Sequence, residues 1–112
     1  MTNEVIYYGQ LSEDPYSLNV ARMDSHGGWL ATPTDLVRFA VRLSAPSNRT
    51  PVLHTEKVAL MTTASAANLR YAKSWSVNAQ GNWWHDGSLP GSTTIMVHTS
   101  SGFSCAALTN SR

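Results

Sequence analysis

The stretch WWHDGSLPGSTTIMVH, residues 83–98, places a histidine, an aspartate and two serines around a turn rich in glycine. A histidine beside serines suggests acyl transfer, in which a serine attacks a carbonyl carbon while an imidazole carries protons. We predict a hairpin with its turn centred near Leu89. In that register His85 lies opposite Thr93 or Thr94 at a strand end, where its ring is held beside exposed backbone amides. His85 is therefore a candidate catalytic residue, and a surface histidine bonded to a threonine is the alternative.

A complete Ser-His-Asp triad is not predicted within this stretch. His85 and Asp86 are adjacent in a strand and point to opposite faces, so the carboxylate does not orient the imidazole as a triad requires. The G-x-S-x-G nucleophile motif is absent as well, because GSLPG has the wrong order. The glycines of DSHGG, residues 24–28, suit either a backbone oxyanion site or a tight structural turn.

Composition argues against several classes of function. The eight Lys and Arg residues are scattered and the formal net charge is +1, so we expect no nucleic-acid partner. The histidines lack the spacing of metal ligands, and His98 is expected about four residues beyond His85 along the paired strand, too far for a shared ion. The one cysteine, Cys105, excludes an internal disulfide or a multi-cysteine zinc site. It is expected to be buried, and a reactive thiol is the alternative. No metal or cofactor is expected, and the compartment stays open.

Two helices are predicted in the middle of the chain. In TPTDLVRFAVRLS, Thr32 is the expected N-cap, Pro33 takes the first helical position and Asp35 lies three residues after the cap. The apolar residues of this helix have helical spacing and predict one buried face, made of Leu36, Phe39, Ala40 and Leu43.

A break at residues 47–51 separates this helix from a shorter one in HTEKVALMTT. Thr55 is expected to cap this second helix. Val58 and Met61 are three residues apart and are expected to share the face that packs on the core.

Strands are predicted at the start of the chain and from residue 71 onward, where the apolar pattern has period two. The segment EVIYYG is read as a strand and QLSEDPYSLNVA as a surface loop. The four later strands are YAKSWSVN, NWWHDG, STTIMVHT and FSCAALTN. Their short connections favour an antiparallel meander. The prediction is one α+β domain over residues 1–112, with a meander of three to four strands packed with two helices.

The order of these segments resembles the C-terminal part of the serine β-lactamase and penicillin-binding protein superfamily, in the branch of class C β-lactamases, D,D-peptidases and esterases. The matching stretches cover most of the chain: EVIYY, DSHGGWLATPTDLVRF, VALMTT and WWHDGSLPGSTTIMVHTSSGFSCAALTN. The resemblance implies a partial β-lactamase-like fold. It also implies a serine hydrolase that forms an acyl-enzyme from small amides or esters, such as β-lactams or D-alanyl peptides.

The resemblance assigns roles to five residues. His85, Asp86 and Gly87 look like the third motif of the family, K-T-G or H-x-G, in its histidine form. His85 would then assist substrate or nucleophile positioning, and Gly87 would let the substrate approach the strand. The backbone N–H of Ser88 would donate to the oxyanion, an interaction worth about 3 kcal/mol in the transition state. Asp86 and His26 complete the expected substrate-binding set.

The chain departs from the family at the nucleophile. Neither S-x-x-K nor Y-x-N, the two motifs that would carry the attacking serine and its bases, occurs in residues 1–112. We therefore expect a C-terminal fragment with negligible activity alone. The alternative is a non-catalytic binding module, or one that self-associates into a homo-oligomer through an exposed sheet edge.

Overall fold

The computed structural model describes residues 4–44 and 50–112, and these form an α+β arrangement of three α-helices and one four-stranded antiparallel sheet. The helices are α1 (Val20–Met23), α2 (Pro33–Leu43) and α3 (Thr55–Thr62). The strands are β1 (Ser76–Val77), β2 (Trp83–Leu89), β3 (Ser92–His98) and β4 (Ser104–Thr109). Two 3-10 turns, Pro15–Ser17 and Asp24–His26, flank α1.

Helix α2 begins where its sequence predicts. Thr32 and Asp35 form a reciprocal capping box: the Asp35 N–H donates to the Thr32 hydroxyl, and the Thr32 N–H donates to the Asp35 carboxylate. Ala40 and Leu43 are buried as expected. Phe39, expected on the buried face, is instead 45% exposed, because it lies at the flank of that face where nothing in the described residues covers it.

Helix α3 was predicted correctly in place but not in its cap. His54 is the N-cap residue, with no side-chain hydrogen bond, and Thr55 is the first helical residue. Val58 and Met61 are both half-buried, and Met61 packs against the core. Of the predicted break at residues 47–51, residues 47–49 lie outside the described ranges, and α2 has already ended at Leu43.

The sheet is the predicted meander, in the order β1-β2-β3-β4 with every pair antiparallel. The β2–β3 turn differs from the expectation. It consists of Pro90 and Gly91, with Leu89 paired to Ser92, and Gly91 has a φ of 74°. Proline followed by a residue with positive φ is the pattern of a type II turn. Because this turn lies later than predicted, His85 pairs with Met96 and not with Thr93 or Thr94.

The N-terminal segment was predicted incorrectly as a strand and a loop. Residues 4–9 are extended but form only an isolated parallel bridge between Tyr8 and Ser111. The expected loop contains the 3-10 turn Pro15–Ser17 and helix α1, because the side chains of Asp14 and Asn19 each accept a backbone N–H and cap these turns.

One face of the sheet covers the core and the other is open. The buried residues are few and join the sheet to α2 and to the segment before β1: Ala40, Leu43, Ala72, Trp75, Val77, Trp83 and Met96. On the opposite face Ile95 is 39% exposed and Cys105 is exposed. The expectation that Cys105 is buried was therefore wrong, since period two places it on the face that no described element covers. None of the described helices is long and apolar enough to cross a membrane.

Candidate functional site

Strand β2 has an open edge over most of its length. β1 pairs only with Trp83 and Trp84, so no strand adjoins residues 85–89 on that side in the part of the chain that the structure describes. The backbone groups of Asn82 and Trp84 point toward β1: Asn78 donates its N–H to the Asn82 carbonyl, and Ser76 is paired with Trp84. Alternate residues of an antiparallel strand direct their backbone groups to the same side. Asp86 and Ser88 therefore present their N–H and C=O groups at the open edge.

His85 is anchored beside this edge by a contact with a residue outside its own strand. Its Nδ1 atom lies 2.8 Å from the Ser74 carbonyl oxygen. A carbonyl only accepts, so Nδ1 carries the proton, and in the neutral ring Nε2 is the unprotonated nitrogen. The ring stands at 85° to Trp75, with 6.2 Å between centroids. Ser74 has a φ of 69°, so a backbone conformation that a non-glycine residue rarely adopts supplies the anchoring carbonyl.

Gly87 keeps the strand surface between His85 and the turn clear of side chains. A Cβ atom at this position would lie 3.2 Å from the Thr94 hydroxyl oxygen across the β2–β3 pair. A larger side chain would also project over the surface that His85 shares, because residues two apart in a strand face the same way.

The segment that carries His26 forms the opposite wall. Gly28 donates its N–H to the Asp24 carbonyl at 2.8 Å, and a Cβ atom on Gly28 would lie 2.7 Å from the Val20 carbonyl oxygen. Only glycine fits so close an approach. His26 lies within this tight turn, exposed, with its Nδ1 atom 2.6 Å from the Met23 carbonyl oxygen.

These two walls enclose a cleft of about 500 Å³. One side is residues 85–90 and the other is residues 26–31, with Glu4 and Tyr7 at the mouth. All five residues predicted for the site line this one cleft. Two of them, His26 and His85, lie on its opposite walls. Asp86 stands at the open edge and borders both the cleft and the uncovered face of the sheet.

Four residues near the cleft were missed by the sequence reasoning. Tyr7 donates its hydroxyl to the Glu4 carboxylate at 3.1 Å, and burial together with that carboxylate raises the pKa of Tyr7. Trp29 is 78% exposed and its indole N–H points to the Asp24 carboxylate. Ser74 lies eleven residues from the histidine that it anchors. No motif or periodicity in the sequence indicates these contacts.

A serine-histidine contact exists elsewhere in the sheet. The Nδ1 atom of His98 lies 2.8 Å from the Ser104 hydroxyl, and its ring stacks on Trp83. Burial lowers the pKa of His98. This pair lies outside the cleft and no carboxylate orients the imidazole, so it packs the end of the sheet. The register also corrects the expected spacing, since His98 lies two residues beyond the position opposite His85, not four.

No group of three or more His, Cys, Asp and Glu side chains able to hold a metal ion occurs within the described ranges. The cleft is lined by two imidazoles, edge amides, aromatic rings and carboxylates. Comparisons of the chain with protein-family models, curated proteins and solved structures found no match.

Proposed function

We propose that this chain is the C-terminal part of a β-lactamase-like serine hydrolase and supplies one wall of an acyl-transfer site for a small amide or ester. The observation that carries the proposal is the common cleft of His26, His85, Asp86, Gly87 and Ser88. Five residues chosen from a motif resemblance lie around one cavity, although they come from two segments almost sixty residues apart in the chain.

The geometry supports a specific division of roles. The Ser88 N–H faces the open edge, where it can donate to the oxygen of a bound carbonyl. His85, with its Nδ1 proton held by Ser74, offers Nε2 as a proton acceptor for a nucleophile or a water molecule. Gly87 leaves space for the substrate backbone beside the strand. These groups position a substrate and stabilise an oxyanion.

The attacking group is the part that the proposal places outside residues 1–112. Ser88 and Ser92 line the cleft, but neither forms a hydrogen bond with a histidine in the described structure. A serine without a base to remove its proton is a weak nucleophile at neutral pH. We therefore expect binding without efficient turnover in the isolated chain.

Binding can be tested by titrating isotope-labelled protein with N-acetyl-norleucine amide, an uncharged small amide, and following backbone amide resonances. The proposal expects the largest shifts at residues 85–88 and 26–29. Gly87→Val should abolish these shifts by filling the strand surface, whereas Ala107→Val, on the opposite exposed face of the sheet, should preserve them. Shifts confined to the open face of the sheet, or equal loss in both variants, would reject the cleft as the site.

A second candidate function is a non-catalytic, self-associating module, and the exposed surface favours it. The accessible surface is 8319 Å², whereas a compact monomer of this mass exposes about 6,100 Å². The excess is larger than the roughly 800 Å² that each partner buries in a standard interface. The uncovered sheet face, with Trp84, Ile95 and Ala107, and the open edge of β2 are the surfaces available for such contact.

Self-association is tested by analytical ultracentrifugation over a wide range of protein concentrations. A second copy packed on the open face would bring the two Cys105 thiols near one another, so mild oxidation should trap a disulfide-linked dimer that Cys105→Ser does not form. Ile95→Lys should weaken the association. A protein that stays monomeric at every concentration would exclude this candidate.

A further inference from the structure

The charges around the cleft are all of one sign. Among the described residues that line it, Glu4 and Asp86 are the acidic ones, and neither lysine nor arginine is present. With histidine counted as neutral, the lining therefore carries two negative charges and no positive one. The chain as a whole has a formal charge of +1, so the cleft differs in sign from the molecule around it.

Neither carboxylate forms an ion pair with a cation among residues 4–44 and 50–112. The ion pairs within the described ranges join Arg38 to Asp35 and Arg112 to Glu13. Glu4 accepts a hydrogen bond from the Tyr7 hydroxyl, which leaves its charge in place. The negative potential at the cleft mouth is consequently uncompensated, and a ligand entering there meets it directly.

Aromatic rings complete this environment. Trp29 lines the cleft and is 78% exposed, so its indole face is open to a ligand. The Tyr7 ring lies at the same mouth, edge-on to Tyr16. The face of an indole or phenol ring attracts a cation through its quadrupole, and carboxylates beside the ring add to that attraction.

We infer that the ligand of this cleft is an amide or ester that carries an ammonium group, and that the cleft discriminates against a ligand bearing a carboxylate. The inference rests on the proposed function, because it specifies the substrate class of the same site. The amide or ester group would meet the open edge at Ser88. The ammonium group would meet the acidic and aromatic side chains that line the cleft, Glu4, Asp86 and Trp29.

Three N-acetyl amino-acid amides whose unbranched side chains differ in charge test the inference. N-acetyl-lysine amide carries an ammonium group, N-acetyl-norleucine amide is uncharged, and the α-amide of N-acetyl-glutamic acid carries a carboxylate. Their affinities are measured by the amide titration described above. Two uncompensated charges several ångströms away should favour the ammonium ligand over the carboxylate ligand by about tenfold at low salt, and added salt should reduce that ratio.

Charge-neutralising variants locate the effect. Glu4→Gln and Asp86→Asn should each reduce the ratio of the two affinities by about threefold. The control Glu56→Gln removes the same charge from helix α3, outside the cleft, and should leave the ratio unchanged.

The outcomes distinguish a failure of the charge preference from a failure of the proposed function. Equal affinities, or tightest binding of the carboxylate ligand, would overturn the charge preference while the cleft remains a binding site. Equal effects of Glu4→Gln and Glu56→Gln would show that the preference arises from overall charge and would overturn the assignment to the mouth. Failure of all three ligands to shift residues 85–88 would reject the proposed function together with the inference.

Discussion

The Nδ1 atom of His85 and the carbonyl oxygen of Ser74 are 2.8 Å apart, and this contact determines how the histidine can act. The carbonyl belongs to a residue in a left-handed backbone conformation, outside the strand that carries the ring. Because the carbonyl accepts the Nδ1 proton, the imidazole is fixed in one tautomer with Nε2 free to accept a proton. A surface histidine without such an anchor rotates and exchanges between tautomers.

The tautomer of His85 can be observed directly. We expect long-range ¹H–¹⁵N correlation spectra at pH 8 to show Nδ1 protonated and Nε2 unprotonated. His54, which is exposed and makes no side-chain cap hydrogen bond, serves as the unanchored control. Protonation of His85 at Nε2, as in the control, would contradict the role given to this contact.

Gly91 is expected to be irreplaceable because it joins the hairpin turn to the N-terminal segment. A Cβ atom there would lie 2.7 Å from Pro15 Cβ and 2.9 Å from Tyr7 Cβ, and the φ of 74° is strained for any other residue. Gly91→Ala should lower the free energy of unfolding by roughly 3 kcal/mol.

The matched control for this substitution is Gly102→Ala. Gly102 has a φ of 91°, but no atom lies within 4 Å of the added Cβ, so only the backbone strain of about 1 kcal/mol is expected. Urea denaturation measures both variants. Equal losses would show that the packing of the N-terminal segment on the turn contributes nothing.

The capping box at the start of α2 links stability to pH. Hydrogen bonds from the Thr32 side chain and backbone, in that order, lower the pKa of Asp35 from its ordinary 3.8. A carboxylate with a depressed pKa in the folded state stabilises the protein above its unfolded pKa, and the contribution is lost as pH falls through the folded value. Asp35→Asn should therefore flatten the decline of stability below pH 3.8.

Thr32→Ala should lower the free energy of unfolding by about 1 kcal/mol and bring the pKa of Asp35 back toward its ordinary value. Thr34→Ala, two residues later in the first turn and without a cap hydrogen bond, is the control. Unchanged titration of Asp35 in Thr32→Ala would contradict the origin assigned to the shift.

His98 should destabilise the fold in mild acid. Burial lowers its pKa below the ordinary 6.5, so between 6.5 and the folded value the unfolded chain binds more protons. Stability from the neutral ring is complete above pH 6.5 and is lost as pH falls through the folded pKa. His98→Gln should lose less stability than the parent over that window, while the exposed control His54→Gln follows the parent. Parallel curves for all three proteins would reject the burial effect.

Local sequence rules predicted the elements whose causes are local. The cap at Thr32, the first-turn Pro33 and the period-two strands β2, β3 and β4 require only neighbouring residues, and all are present in the structure. Of the strand predicted at residues 71–78, only Ser76–Val77 is formed, because the chain turns back before it and the Ala72 N–H donates to the Trp75 carbonyl. The partner of His85 was missed because the two-residue turn at Pro90 and Gly91 shifted the register within a longer glycine-rich stretch.

Burial was harder to predict than secondary structure. Phe39 and Cys105 have the periodicity of buried residues, yet both are exposed, because periodicity identifies a face and does not show what covers it. Tyr7 lies at the cleft because it packs beside Gly91 of the β2–β3 turn, a contact that no motif encodes, and Glu4 accepts the Tyr7 hydroxyl. The sequence therefore indicated the residues of β2 and His26 that line the cleft, and did not indicate Glu4 and Tyr7.

In the proposed function, this cleft is part of an acyl-transfer site whose nucleophile lies outside these residues. The most direct measurement is the intact mass of the folded protein after incubation with a fluorophosphonate and, separately, with a penicillin. We expect no covalent adduct with either reagent. A stoichiometric adduct on any serine of the chain would show that the chain carries its own activated serine and would contradict the proposal.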